Sequence, residues 1–474
     1  MKLSLICLLF SFLISTSERI AAEEDSLLYI YEPELRSPFA DTYRQMLSHA
    51  NNNEFDLATN LSDVLLEAHL DFADSNPVLY GQLMVNHGIV RTAATDYEVA
   101  LPSINDGLKH LESRTKPFSV DLIRGLMAKA IAEFSLDQNT EAEDTFRRVQ
   151  HIVHRNQGVY ASSQLSALSW ITKTNLKRGE VLAADREQRF TLRVAEQSFG
   201  SQSVEIVPFL TSIGAYFASR GSTIPTLMQS DARLQRDLLF RRSVDLYQRA
   251  VRILETTYGE DDIRLVKPLR GLAHARLLQV TNRKRAEAAL TRSLKIVNNH
   301  SGSDLTDRAI ALVDLGDFYT IMRDEKASPL YLEAWNKLQE DEQTRAFAAQ
   351  LFALPERLFP SESDTLFLDR RPDAADEDEE LFVSLEYSVT AAGTVKSVRV
   401  IDKNVPNEQV RILRYQVRNA LYRPRIEDGE LVATEGLTFY QPFSVSSATI
   451  PNAPSTSNDI LTAPESAPHK QMAR

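Results

Sequence analysis

Small side chains recur along this chain at a fixed step: Ala58, Ala100, Ala142 and Ala184 stand 42 residues apart, and after a break the same step leads from Ala286 to Ser328. A second series lies 12 residues ahead of the first, at Met46, Gly88, Ala130 and Thr172; Gly214 extends it, and His274 and Gly316 resume it. Helices that cross closely need small side chains at the crossing, so the paired series predict one helical hairpin per step. Apolar residues continue at helical spacing behind the second marker, as in Ile104 and Leu108, Phe146 and Val149, Tyr247 and Ala250, Leu290 and Leu294, Leu332 and Trp335. Gly200, Gly259 and Gly302 follow second helices, where a left-handed residue ends a helix without strain. A hairpin this short cannot bury its own apolar face, so about seven of them are expected to stack into a solenoid over residues 40–345. The unit at Thr172 is degenerate, and the spacing from Gly214 to Ser243 is too long by about 17 residues, which predicts an inserted loop near Arg220 to Gln235.

The pattern changes after Phe359. Residues 346–380 read as a helical end and an acidic linker, with the charges concentrated in Asp376 to Glu380. From Leu381 the period is two: Val383, Leu385, Tyr387 and Val389 share a face, Gly393 permits a turn, and Val395 to Ile401 forms a second strand. Pro406 to Leu421 reads as a helix with Val410, Leu413, Val417 and Leu421 inward and Arg411, Arg414 and Arg418 on another face. Thr434 to Phe443 supplies a last strand through Leu437, Phe439 and Phe443. The chain is therefore expected to be mainly α, a helical solenoid followed by a small α+β domain at 381–443 and a disordered tail at 444–474, which has too few large apolar residues to offset the entropy of ordering.

Composition narrows the function. A hydrophobic fraction of 43% and a charged fraction of 25% suit a globular chain of 474 residues, and a net charge of −12 argues against general nucleic-acid binding. Residues 1–22 read as an export signal: Lys2, then an apolar run from Leu3 to Ile14, then Ala21 and Ala22, where cleavage is expected. The alternative is a retained anchor, although the run falls short of the roughly 20 residues that span a bilayer. No later stretch is long and apolar enough to span. Cys7, the single cysteine, sits inside the apolar run, so a cleaved chain has no thiol for catalysis, disulfides or zinc.

Candidate chemistry is sparse. His151 and His154 share a helix face but lack a carboxylate at ligand spacing, and His87 and His274 read as packing or groove residues. There is no phosphate loop, no zinc-protease helix and no nucleophile elbow, so neither a cofactor nor a metal is expected, and an enzyme would need a site assembled from distant residues. Asn60-Leu61-Ser62 and Asn299-His300-Ser301 fit the glycosylation sequon, and Trp335 reads as a core residue. Arg411, Arg414 and Arg418 are the candidate partner-binding residues, for an acidic partner, against the alternative of a plain solvated helix face.

The repeat resembles the tetratricopeptide repeat (TPR) in the 42-residue form of kinesin light chains, most clearly over Ala250 to Ala275. The resemblance implies protein binding on an extended superhelix. The second domain resembles the C-terminal domain of TonB proteins, through the turn Ala392-Gly393-Thr394, the valine-rich second strand, Tyr422-Arg423-Pro424 after the helix and the Gly429 turn. That resemblance implies a bacterial protein, in which the sequons are incidental, and an exposed sheet edge that takes up an extended segment of an outer-membrane receptor. The energy-transducing members of that family have a retained inner-membrane helix and a long proline-rich spacer, neither of which is seen here. Together the two resemblances imply a non-enzymatic periplasmic adaptor with protein partners in the periplasm or envelope, outer-membrane and inner-membrane proteins being candidates for the contact. The alternatives are an energy transducer or accessory factor in TonB-dependent transport, and an exported enzyme with an unrecognised site.

Overall fold

The computed structural model describes residues 27–224, 230–279, 283–359, 366–368 and 380–445. The export segment, the acidic run Asp376 to Glu379 and the tail beyond 445 lie outside the described residues. Among the described residues seven helical hairpins follow one another. They are α1 (Phe39–Asn51) with α2 (Phe55–Glu67), α3 (Pro77–Ala93) with α4 (Tyr97–Glu112), α5 (Ile123–Ser135) with α6 (Asn139–Gln157), and α7 (Leu165–Lys177) with α8 (Val181–Phe199). The remaining pairs are α9 (Val207–Ser222) with α10 (Ser230–Tyr258), α11 (Val266–Leu278) with α12 (Arg283–Asn299), and α13 (Leu305–Met322) with α14 (Ala327–Gln339); α15 (Glu342–Phe352) covers the last of them.

The helices of a hairpin touch where the small residues lie. Ala58, Ala100, Ala142, Ala184 and Ala286 are all fully buried. A Cβ added at Gly88 would stand 2.4 Å from Cγ1 of Ile104 and 2.7 Å from the Ala100 carbonyl, so the α3–α4 approach requires glycine. The expected register slips at the end of the solenoid. His274 is exposed and Ser328 half-buried, while their neighbours Ala273 and Ala327 are buried. The buried crossing residues stand 13 apart in the sixth hairpin, from Ala273 to Ala286, and 11 apart in the seventh, from Gly316 to Ala327, instead of the expected 12. The same slip buries Tyr331, Ala334 and Leu338 and leaves Leu332 and Trp335 only partly covered.

The long repeat has a structural origin. Second helices α6 and α8 run for 19 residues, and single 3-10 turns at Val120–Leu122, Ser162–Gln164, Val204–Ile206 and Ile263–Leu265 lead into the next first helix. Gly200 and Gly259 have positive φ, as does Gly158, but Gly302 does not. Gly200 also departs from the expected left-handed cap, because its ψ of 142° sends the chain out extended. The expected loop near Arg220 to Gln235 is largely helix: α9 continues to Ser222 and α10 begins at Ser230, with 225–229 outside the described residues. Leu239 and Phe240 are buried in this extension, and Phe240 lies against Gly221 so closely that a Cβ there would meet its ring at 2.4 Å.

A ladder of polar contacts joins successive second helices at one repeat position. Arg148 meets Glu112 at 2.7 Å, and Arg249–Glu196 and Arg292–Glu255 repeat the pair; at the intervening junction Phe190 and His154 make an edge contact at 6.4 Å instead. Nearby side chains bond the carbonyls of the preceding turn, Asn156 to Phe118 at 2.9 Å and Ser198 to Tyr160 at 2.6 Å. Partly exposed ion pairs contribute only about 0–1 kcal/mol each, whereas a buried Leu or Phe contributes about 1.5–3 kcal/mol. Cohesion therefore comes from the continuous apolar core, and the ladder sets the register.

Beyond α15 the chain forms β1 (Glu356–Phe359), β2 (Leu366–Leu368), β3 (Leu381–Val389), β4 (Val395–Lys403), α16 (Asn407–Asn419), β5 (Leu421–Arg423), β6 (Arg425–Glu427), β7 (Glu430–Val432) and β8 (Thr434–Val445). One sheet has the order β2-β8-β3-β4, with β2 parallel to β8 and the other pairs antiparallel. Burial alternates along β3, and its inward residues pack with Val410, Leu413 and Val417 of α16. The protein is thus mainly α, a TPR-type solenoid of helical hairpins followed by a small α+β unit.

That unit is keyed to the solenoid. The expected helix 406–421 stops at Asn419, because Leu421–Arg423 is drawn into β5 against β1 and Tyr422 N–H bonds the Gly393 carbonyl at 2.8 Å. Arg423, only 7% exposed, forks onto Asp317 of α13 at 3.0 and 2.6 Å and reaches Glu356 of β1 at 2.7 Å. Burial opposes its charge, but the hydrogen bonds and charge of Asp317, with Glu356 behind, outweigh that and hold the guanidinium more firmly protonated than usual. Ile426 is buried within the solenoid's core, and Leu431 packs against it. Gly393, at φ 75°, presses on Tyr422 so tightly that a Cβ would meet its carbonyl at 2.0 Å.

Replacing Arg423 by Met is expected to cost about 3–5 kcal/mol at this junction, the range for breaking a buried pair and stranding its partner. Thermal unfolding of the variant should split into two transitions, and proteolysis between 353 and 380 should accelerate. A single unshifted transition would rule out this coupling role.

Candidate functional site

The solenoid already holds an extended strand of protein. Residues 30–36 precede the first hairpin without forming helix, and they lie across the first helices. Asn86 of α3 grips the backbone of Tyr31 on both sides: the Tyr31 N–H donates to Asn86 Oδ1 at 2.7 Å and Asn86 Nδ2 donates to the Tyr31 carbonyl at 2.8 Å. The Tyr43 hydroxyl of α1 donates to the same carbonyl at 2.6 Å, and Arg124 of α5 bonds the Ile30 carbonyl. Further along, the Tyr29 hydroxyl meets Ser166 of α7 at 2.5 Å. Four consecutive first helices thus line one groove, and three of them, α1, α3 and α5, grip backbone atoms that any sequence would present.

The side chain of Tyr31 enters the fold more deeply. Its hydroxyl donates to the Asp121 carbonyl at 2.6 Å and accepts from the Gly125 N–H at 3.0 Å, bridging a donor and an acceptor four residues apart where the 3-10 turn passes into α5. Burial pushes the phenol up to about 12, against the pull of the Gly125 bond, so it stays a donor at any physiological pH. Gly125 allows the approach, with a would-be Cβ 3.3 Å from the hydroxyl. Ile30 is buried beside it, while Glu32 and Glu34 face solvent.

A second polar cluster lies behind this groove wall. His87 of α3 places Nε2 2.8 Å from Asp63 of α2 and Nδ1 2.9 Å from Ser103 of α4. Arg91 forks onto Asp63 at 2.8 Å and reaches Asp96 at 2.9 Å. Serine, histidine and carboxylate are the groups of an acyl-transfer site. Here, however, Ser103 is buried and donates its proton to the Met84 carbonyl at 2.9 Å. The set acts as a clamp between the first two hairpins. Nothing in the sequence spacing signalled it, since the three residues belong to three helices.

The residues singled out by sequence are dispersed. Arg411, Arg414 and Arg418 are exposed on α16, and Arg414 reaches back to the Val398 carbonyl at 3.4 Å. Tyr415, 70% exposed, stands among them. His154 bonds Gln164 at 2.8 Å while His151 is exposed, so the two are not held together. Trp335 is partly covered by the β6–β7 turn, where a Cβ on Gly429 would lie 3.8 Å from its indole nitrogen. Among the described residues no helix is long and apolar enough to cross a membrane.

No family model matches the chain, and no curated protein matches it. Among solved structures it is similar to BtubC (BKLC) from P. vanneervenii, at 16% identity and a TM-score of 0.39, over 60% of this chain and 98% of that one. A chain of nearly identical TPR-like repeats from Podosopora anserina matches at 13% identity and a TM-score of 0.39, over 48% of this chain and 99% of the other. The C-terminal part of a TPR repeat-containing protein from Cytophaga hutchinsonii matches at 13% and 0.36, over 65% and 98%. These likenesses are too distant to bring any partner with them.

The clamp makes the first junction acid-sensitive. Burial lowers the His87 imidazole below 6.5 despite the bond to Asp63, so the unfolded chain takes up that proton first and stability falls as pH drops below about 6.5. Burial opposes the charge of Asp63, but bonds from Arg91 and His87 outweigh it and lower the carboxyl below 3.8; this contribution is present above that value and is lost as pH falls through the lowered one. His87→Gln is expected to flatten the dependence of the melting temperature on pH between about 7 and 5. An unchanged slope would show that His87 does not govern it.

Proposed function

We propose that this protein is a non-enzymatic adaptor of the bacterial periplasm, which grips extended segments of protein partners in the solenoid groove and presents its C-terminal α+β unit to a second protein. The observation that carries the first half is the two-sided hold of Asn86 on the Tyr31 backbone. A carboxamide that satisfies both the N–H and the C=O of one residue fits any extended peptide, and the neighbouring pockets for Ile30 and Tyr31 select aliphatic and aromatic side chains. The export signal at 1–22 supports the location, and the resemblance of 381–443 to the TonB C-terminal domain supports an envelope partner.

Accessory action in TonB-dependent transport is the second reading, favoured by one feature of the sheet. Among the described residues β4 pairs only with β3, leaving an edge open to strand addition. Lys396, Arg399 and Lys403 and the left-handed Ser397, at φ 57°, guard that edge against indiscriminate pairing. Arg411, Arg414 and Arg418 on α16 offer a further contact for an acidic partner.

A chain shortened to begin at Ser37, with its groove emptied, should bind a fluorescent peptide of residues 27–36 saturably. Asn86→Ala should weaken that binding at least about tenfold, or 1.4 kcal/mol. Absence of binding by a shortened chain whose circular dichroism remains helical would defeat the groove proposal. Crosslinking in the cell envelope, with each half expressed separately, tests the two-partner scheme.

A further inference from the structure

On the side of the second helices two junctions of the same geometry differ sharply in charge. Between α6 and α8, Arg147 bonds Glu187 at 2.6 Å, and Glu143 receives both Arg147, at 3.3 Å, and Arg178. With Ser243 and Ala286 in the places of Ala142 and Ala184 as fully buried crossing residues, the equivalents of Glu143, Arg147 and Glu187 between α10 and α12 are Val244, Gln248 and Ala289. Both carboxylates are gone. In their place a cleft of about 420 Å³ opens, floored by Val251, Leu269 and Leu272 and rimmed by Arg252, Arg276, Arg285 and Arg292.

The charges on that rim are not balanced. Arg292 is paired with Glu255, but among the described residues Arg252, Arg276 and Arg285 make no ion pair. The Arg276 guanidinium donates only to the Arg285 carbonyl, at 2.9 Å, and it is held below the usual arginine range first by burial and then by the charge of Arg285. An unneutralised cluster of arginines over an apolar floor, on a chain of net charge −12, is a local inversion of the molecule's field. Leu269, Leu272 and Arg276 follow helical spacing on one stripe of α11, while the exposed His274, two residues from Leu272, lies on the opposite side.

We infer that the α10–α11–α12 cleft binds an acidic segment of a partner protein in which an apolar side chain is flanked by carboxylates. The flanking carboxylates would neutralise the unpaired rim arginines, forking onto them in the bidentate geometry that guanidinium favours, and the apolar side chain would cover Val251, Leu269 and Leu272. The net negative charge elsewhere disfavours a long polyanion, which would have to approach the rest of the surface. This inference rests on the adaptor reading and deepens it, placing a contact on a face separate from the groove.

The test uses the exported chain and a fluorescein-labelled peptide of sequence Glu-Glu-Leu-Leu-Glu-Glu, followed by anisotropy. Saturable binding is expected, reduced at least about tenfold by the double substitution Arg252→Glu with Arg285→Glu, whose exposed positions should leave the melting temperature unchanged. The same peptide with Gln for Glu should bind at least as poorly, which keeps the comparison valid if the double variant loses stability. Equal binding by the variant or by the Gln peptide would overturn the assignment, as would displacement by an equimolar amount of inorganic phosphate. The groove experiment uses another face and another peptide, so either result can fail alone.

Discussion

An open stack of helical hairpins has two raw ends, and covering them is the constraint on which the rest of this structure depends. Each internal hairpin finds its apolar face covered by the next one, but the first and the last have no neighbour. Here the chain supplies covers of different kinds. At the start, Phe39 and Phe72 close on either side of the buried His69, with ring centroids 4.7 and 5.1 Å away, and residues 30–36 pass over the first helices. At the far end α15 places Phe352 beneath Tyr331 and Trp335, and Ile426 from the C-terminal unit completes the same core. The C-terminal unit, through β6, is therefore part of how the solenoid terminates as well as a module carried behind it.

This double duty explains why polar contacts gather at the junction. Asp317 accepts from Arg423 and from the Tyr331 hydroxyl, which also meets Thr320, while Arg270 binds Asp314 one turn away. Burial holds the Asp314 carboxyl above its ordinary value, and Arg270 offsets only part of that. A patch that was only greasy would let the unit slide over α13. A bidentate arginine admits one orientation.

The period of the solenoid was legible because it rests on a local requirement, a small residue at every helix crossing, which repeats in the sequence whenever it repeats in space. The buried stripe of α16 and the alternation in β3 were legible because each has the period of its own element, while the end of α16 was not, since Leu421–Arg423 is drawn into a strand by the distant β1. Contacts between distant residues left no such trace: Asn86 and Tyr31, Arg423 and Asp317, and the set Asp63, His87 and Ser103 each join elements whose separation is set by the superhelix. The slip from His274 to Ala273 shows the limit of a fixed step, since a crossing can move by one residue while Ala286 and Gly316 beyond it keep their expected places. The extension at Leu239 and Phe240 shows another, because added spacing reads as loop until the residues that cover it are identified. The candidate arginines of α16 were visible as a face, but whether a face is used is not written in its periodicity.

The lock made by Tyr31 joins residues 90 and 94 positions apart in the chain. In a solenoid whose helices pack mostly on near neighbours, such closures form late, since they wait for everything between them. A segment made before every helix that holds it is thus among the last to settle, and for as long as the third hairpin is unfinished it is free to be held by something else.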